Sequence, residues 1–185
     1  MTHQLALFLV NSIFGLFATA LMLRFMLQWV GAPFGNPLGH MLRTLTDWLV
    51  RPLRKVFTSS RHDPGILLAV WLIEVLKVWL GGILTIPVYP PLALAAIGLF
   101  ALIKLWVEVL WMATIAMAIL SWVAPRNELM PMLQLLCEPV LAPIRRILPT
   151  TSGIDFSPLV VLLAGQMLMT IVLPTLEHNL IRTLL

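Results

Sequence analysis

Between Leu5 and Trp29 the chain carries a single charged side chain, Arg24. An apolar run of that length fits the hydrocarbon of a bilayer, which takes about 20 residues of helix. Three more such runs follow, from Gly65 to about Thr85, from Leu92 to Val123, and from about Phe156 to Leu176. Composition agrees: 60% of the residues are hydrophobic and 11% charged, against about 25% charged in a soluble domain. The expected class is an all-α membrane protein with four transmembrane helices, which excludes a soluble enzyme. Cys137 is the one cysteine, so an intrachain disulfide, a cysteine-type zinc site and a covalent haem motif are excluded. Ala18-Thr19-Ala20 has the look of a signal-peptide cleavage site. No Lys or Arg precedes it, however, and the apolar run continues to Trp29, so the expectation is an uncleaved first span.

The polar content is concentrated in two loops. In the first, Asn36 is a candidate N-cap with Pro37 at the first helical position. From Leu38 to Phe57, apolar Met41, Leu42, Leu45, Trp48, Leu49 and Leu53 recur at helical spacing. Arg43, Asp47, Arg51, Arg54 and Lys55 supply the polar side. Such a segment is too charged to span and should lie in the interface, apolar side down. Pro52 predicts a kink and a fresh turn.

The two loops are similar in sequence. With offsets of 91 to 93 residues, Trp29 aligns with Trp122, Asn36 with Asn127, Met41-Leu42 with Met132-Leu133, Asp47 with Glu138, Pro52 with Pro143, Arg54 with Arg145 and Asp63 with Asp155. Ordered identities through a loop are more specific than the likeness of two apolar spans. The reading is two parallel repeats of span, amphipathic loop and span. Residues 1–90 form the first, with spans at about 5–29 and 65–86 and the interfacial loop at 31–64. Residues 91–185 form the second, with spans at about 97–123 and 156–176 and the loop at 124–155. Both loops then share one side of the membrane and both termini the other. The loops hold eight Lys and Arg residues, the opposite side only Arg182. The positive-inside rule therefore predicts cytoplasmic loops and periplasmic termini.

Pro143-Ile144-Arg145-Arg146-Ile147-Leu148-Pro149, followed by Gly153-Ile154-Asp155-Phe156-Ser157-Pro158, resembles the motif of the YggT family of bacterial membrane proteins. The likeness covers nearly the whole chain. The first copy departs from the motif: Lys55 replaces an Arg, and Arg61-His62-Asp63-Pro64 replaces the Gly-Ile-Asp-Phe-Ser-Pro pattern. The resemblance implies a small multi-pass inner-membrane protein without an established reaction. Roles proposed for relatives include osmotic tolerance, organisation of division or membrane shape, and cytochrome assembly in plastids.

Three sets of residues are candidate sites. Arg54, Lys55, Arg145 and Arg146 suit anionic phospholipid headgroups, each basic residue contributing about 1 kcal/mol near an anionic surface; the bland alternative is a topology signal. Asp63 and Asp155 stand where the chain re-enters the membrane and are expected to favour the positive helix ends. Glu74, Lys77, Lys104 and Glu108 lie within spans, where a lone charge costs about 2.5–3.5 kcal/mol. Mutual pairing that locks the second span to the third is the structural expectation for them, and an ion pathway the functional one.

No catalytic constellation, phosphate loop or metal motif is present, and no cofactor is expected. The expected function is non-enzymatic: an interaction, assembly or membrane-organising factor acting through its amphipathic basic loops. The expected partners are the anionic bilayer and other membrane proteins or further copies of the chain, with no nucleic acid. The alternative is a small transporter or channel component using the intramembrane charges.

Overall fold

The computed structural model describes residues 2–57, 63–85, 89–147 and 155–184, and these are helical with short connections. The helices are α1 (Thr2–Val30), α2 (Pro37–Val56), α3 (Pro64–Thr85), α4 (Pro91–Val123), α5 (Met130–Ile147) and α6 (Ser157–Leu184). Among the described residues, α1, α3, α4 and α6 are long and apolar enough to cross a membrane. Much of their apolar surface faces outward, as at Phe8, Leu16, Leu72, Trp79, Ile103 and Leu163. Facing lipid, these side chains have no reason to turn inward.

Local chemistry sets the helix ends. Gly31, at φ 72°, takes the left-handed conformation that closes α1. Its N–H bonds Gln28 O at 3.1 Å and the Ala32 N–H bonds Leu27 O at 2.9 Å, the paired bonds of a Schellman cap. Asn36 caps α2 as expected, with Oδ1 accepting the Gly39 N–H at 2.7 Å. Pro37 occupies the first turn, where no N–H is needed. The fresh turn expected at Pro52 does not form as a separate element: α2 runs unbroken through the proline to Val56.

Two span boundaries also shift. The third span begins at Pro91 rather than near 97, because Pro91 fits the first helical turn and the Leu94 N–H bonds Pro90 O. The helix is continuous from Pro91 to Val123. At 33 residues the helix is about 50 Å long. The fourth span continues past 176. A π turn over Leu168–Val172, in which the Leu173 N–H reaches Leu168 O, precedes Pro174. This wider turn relaxes the backbone just where a proline would otherwise stop the helix.

The packed core lies at the end of the bundle near α2 and α5. Leu21, Met22 and Phe25 of α1 meet Ile66 and Val70 of α3, Val109 of α4, and Leu136 and Leu141 of α5. Phe25, Trp29 and Trp106 form an edge-on cluster, with centroids 6.0 Å apart for Phe25–Trp106 and 6.2 Å for Trp29–Trp106. Close approach of backbones ties the spans together. A Cβ on Gly98 would overlap Val75 of α3, and one on Gly165 would overlap Trp111 of α4. The Trp71 indole donates to Ala95 O at 3.2 Å and the Trp111 indole to Leu162 O at 3.0 Å.

Candidate functional site: a charged cavity and two clamped amphipathic helices

The amphipathic helices are held by charged side chains at both levels of the loop end. Leu42, Thr46 and Val50 form the fully buried stripe of α2. Phe17 stacks on Trp48 at 5.4 Å. Arg24, near the end of the first span, does not snorkel out to the interface as a lone charge there would; it is 4% exposed. Its Nη1 donates to Thr46 Oγ1 at 2.6 Å and to Asp47 Oδ1 at 2.7 Å. Because α2 folds back over the end of α1, it brings a carboxylate to the guanidinium, and reaching solvent becomes unnecessary. Asp47 also takes Arg51, at 2.9 Å. Burial works to raise the Asp47 carboxyl, but Arg24 and then Arg51 outweigh it and hold the group below its ordinary value. A cleft of about 310 Å³ opens among Arg24, Gln28, Arg43, Asp47 and Arg51, with the Arg43 guanidinium 5.1 Å above the Phe34 ring.

Each amphipathic helix is pinned to the start of the following span by one Arg–Asp pair. Arg54 Nε meets Asp63 Oδ2 at 2.9 Å, and Arg145 Nε meets Asp155 Oδ2 at 2.8 Å. Their settings differ. Asp63 has no exposed surface, and among the described residues its Oδ1 has no hydrogen-bond partner. Asp155 is exposed, and its Oδ1 accepts the Ser157 N–H at 2.9 Å at the start of α6. Arg145 also reaches Glu138 at 2.9 Å. For Asp155, burial works upward, but the Ser157 hydrogen bonds and the Arg145 guanidinium lower the carboxyl below its ordinary value. Lys55 and Arg146, the next residues after the clamping arginines, are exposed. Arg61 and His62, and the Leu148–Ile154 part of the motif, lie outside the described residues.

α5 has a different anchorage from α2. It buries Met132, Leu133, Leu136, Cys137 and Leu141 against α4, α1 and α6. Cys137 accepts from Thr114 Oγ1 at 3.6 Å, and burial pushes its thiol up, so it is a core side chain. Asn36 Nδ2 lies 3.2 Å from Met132 Sδ, joining the cap of α2 to α5.

At the opposite end of the bundle the packing opens. A cavity of about 410 Å³ is lined by Glu74 and Lys77 of α3, Lys104 and Glu108 of α4, and Glu177 of α6. Leu7 and Asn11 near the start of α1, Gly81 and Gly82 near the end of α3, Tyr89, and Ile181 are also part of its wall. The four sequence-predicted charges thus converge, but not in the pairing expected. Lys77 pairs within its own helix, at 2.9 Å from Glu74 Oε2 and 3.1 Å from Oε1. Lys104 pairs with Glu177 at 3.3 Å, tying the third span to the fourth. Among the described residues no ion pair joins the second and third spans; Gly98 against Val75 and the Trp71 hydrogen bond join them. Among the described residues Glu108 makes no ion pair.

Glu177 is not among the sequence candidates because the apolar run, and with it the expected fourth span, ends at about Leu176. The available signal was Glu177 itself, the one acid after Asp155. Thr46 and Asp47 as partners of Arg24 were missed for a different reason: their pairing depends on how α2 folds back.

Four apolar helices with two charged, partly amphipathic helices between them define a multi-pass α-helical membrane protein. The CCB3/YggT family model matches residues 3–84 and again 96–176, and the chain belongs to that family. It is 32% identical over 158 residues to "Uncharacterized protein YggT" of Escherichia coli strain K12, covering 84% of this chain and 82% of that one. It is 34% identical over 163 residues to an uncharacterized protein of Haemophilus influenzae, covering 86% of each. An uncharacterized Pseudomonas aeruginosa protein is 32% identical over 183 residues, covering 92% and 89%. No solved structure matches the chain.

Proposed function

We propose that this protein is a non-enzymatic membrane-organising or assembly factor that works through α2 and α5. The carrying observation is the pair of Arg–Asp clamps, which fix each amphipathic helix against a membrane-entering helix while leaving Lys55 and Arg146 exposed. In this reading the protein sits in the bacterial inner membrane with both loops cytoplasmic and both termini periplasmic. It is built from two parallel repeats, a reading supported by the matching clamps and by the family model's match to each half. The exposed basic groups face anionic headgroups. Exposed Met41, Leu45 and Trp48 rest in the interface, where Trp is at home. Other membrane proteins, or further copies of the chain, dock on this face; nucleic acid and cofactors have no part in it.

The test uses protein in nanodiscs of phosphatidylglycerol or phosphatidylcholine. Hydrogen exchange at α2 and α5 should slow in the anionic discs, and added salt should remove the difference. Lys55→Gln with Arg146→Gln should remove it too, without loss of insertion. Identical exchange in both lipids sinks the docking role. A cytoplasm-active reporter fused in 124–155 should work and one at the C-terminus should fail; the reverse pattern sinks the topology. The competing reading is a small transporter or channel component for ions or osmotic homeostasis, favoured by the charged cavity. Flux in purified proteoliposomes, with no copurifying partner, would select it.

A further inference from the structure

The cavity at the outer end has more carboxylate than it needs for its own ion pairs. Glu74 is 3% exposed and is taken bidentately by Lys77. Glu177 is taken by Lys104. Three carboxylates against two ammonium groups leave one negative charge over, and among the described residues Glu108 is the acid without an ion pair. Its side chain lies in a span, where an uncompensated charge is costly and is paired or placed against a water-filled cavity.

The cavity is also built to admit something. Its wall runs from Glu74 and Glu108, in the interior of α3 and α4, out to Leu7, Tyr89 and Ile181. These last stand at the ends of helices remote from α2 and α5. A Cβ on Gly81 would meet no atom within 4 Å, so the glycine leaves part of the wall open. Toward the other end the route is closed by the packed side chains of Leu21, Met22, Val70 and Val109. At about 410 Å³, against roughly 30 Å³ for a water molecule, the space exceeds what a bare ion fills. It accommodates a hydrated alkali ion or a small organic ammonium.

We propose that this cavity is a binding site for a small monovalent cation, entered from the end of the bundle opposite α2 and α5. Glu108 supplies the neutralising charge, while Asn11 and Tyr89 offer polar groups nearer the mouth. Lys77 and Lys104 hold the other two carboxylates and keep a second cation, or a divalent one, from being favoured. The site deepens the transport reading by naming its ligand class, but binding does not require transport. Loss of flux with binding intact would overturn transport alone.

The experiment is equilibrium binding of radiolabelled sodium and, separately, radiolabelled methylammonium to the full chain in nanodiscs, with empty discs subtracted. Saturable binding of one or both is expected, and which of them saturates identifies the source. Glu108→Gln should weaken it at least tenfold. Gly81→Leu, which fills the wall and leaves every charge in place, should also weaken it at least tenfold. Both variants should elute as the parent protein does and melt no lower than it does. Should Glu108→Gln fail to fold, Gly81→Leu decides. Absence of saturable binding to the folded parent protein, or binding unchanged in the folded variants, overturns the proposal.

Discussion

Arg54 Nε and Asp63 Oδ2 meet at 2.9 Å, and the carboxylate is wholly buried, its other oxygen without a partner among the described residues. Removing a partner from a buried pair leaves an uncompensated charge, at a cost of about 3–5 kcal/mol. Arg54→Gln should therefore destabilise the protein by roughly 3 kcal/mol. Arg145→Gln breaks a pair whose carboxylate is 36% exposed, and should cost about 1 kcal/mol or less. Denaturant titration in detergent compares them. Equal losses would mean that burial does not separate the two clamps.

The Arg24 network predicts an ordering between its two partners. Arg24→Met leaves Asp47 still paired with Arg51. Asp47→Asn keeps an acceptor oxygen but leaves the buried guanidinium without its compensating negative charge. The second change should cost more by about 1–2 kcal/mol, and should free α2 more, read as a red shift of Trp48 emission in a single-Trp background. The opposite order would place the main anchorage of α2 elsewhere.

Acid should release the Arg145–Asp155 clamp only at low pH. The folded-state pKa of Asp155 lies below its ordinary 3.8. The clamp's contribution is thus complete above the unfolded value and is lost as pH falls below 3.8 through the lowered one. Asp47 follows the same rule. Hydrogen exchange near Ser157 should be flat from pH 7 to 5, after correction for intrinsic rates. A step within that range would contradict the assigned partners.

Gly98 tests the joint between the second and third spans. Gly98→Val puts a branched side chain against Val75, whose Cα would lie 3.2 Å from the new Cβ. The short, branched neighbour has little room to turn away. The cost should be about 1–3 kcal/mol, seen as a lower melting temperature. Gly81→Val, facing open space, should cost less; a larger loss at Gly81 would contradict this packing.

The spans were legible because a bilayer imposes a length and a polarity that any 20-residue window records. Asn36-Pro37 marked the start of α2 for a similar reason: capping is chemistry among neighbours in sequence. The pairings at the ends of the bundle were less accessible. Glu74 and Lys104 could be counted as intramembrane charges, yet each had several partners within reach. The choice of Lys77 for one and Glu177 for the other depends on helix register and on a π turn that carries α6 beyond Pro174. Arg24 is the clearest case. A linear chain gives it no acidic neighbour and a nearby interface, whereas the folded chain brings Thr46 and Asp47 to its guanidinium. Bilayer partition acts on each segment separately, so it is written in each segment; ion pairing acts between segments, so only their three-dimensional arrangement decides it.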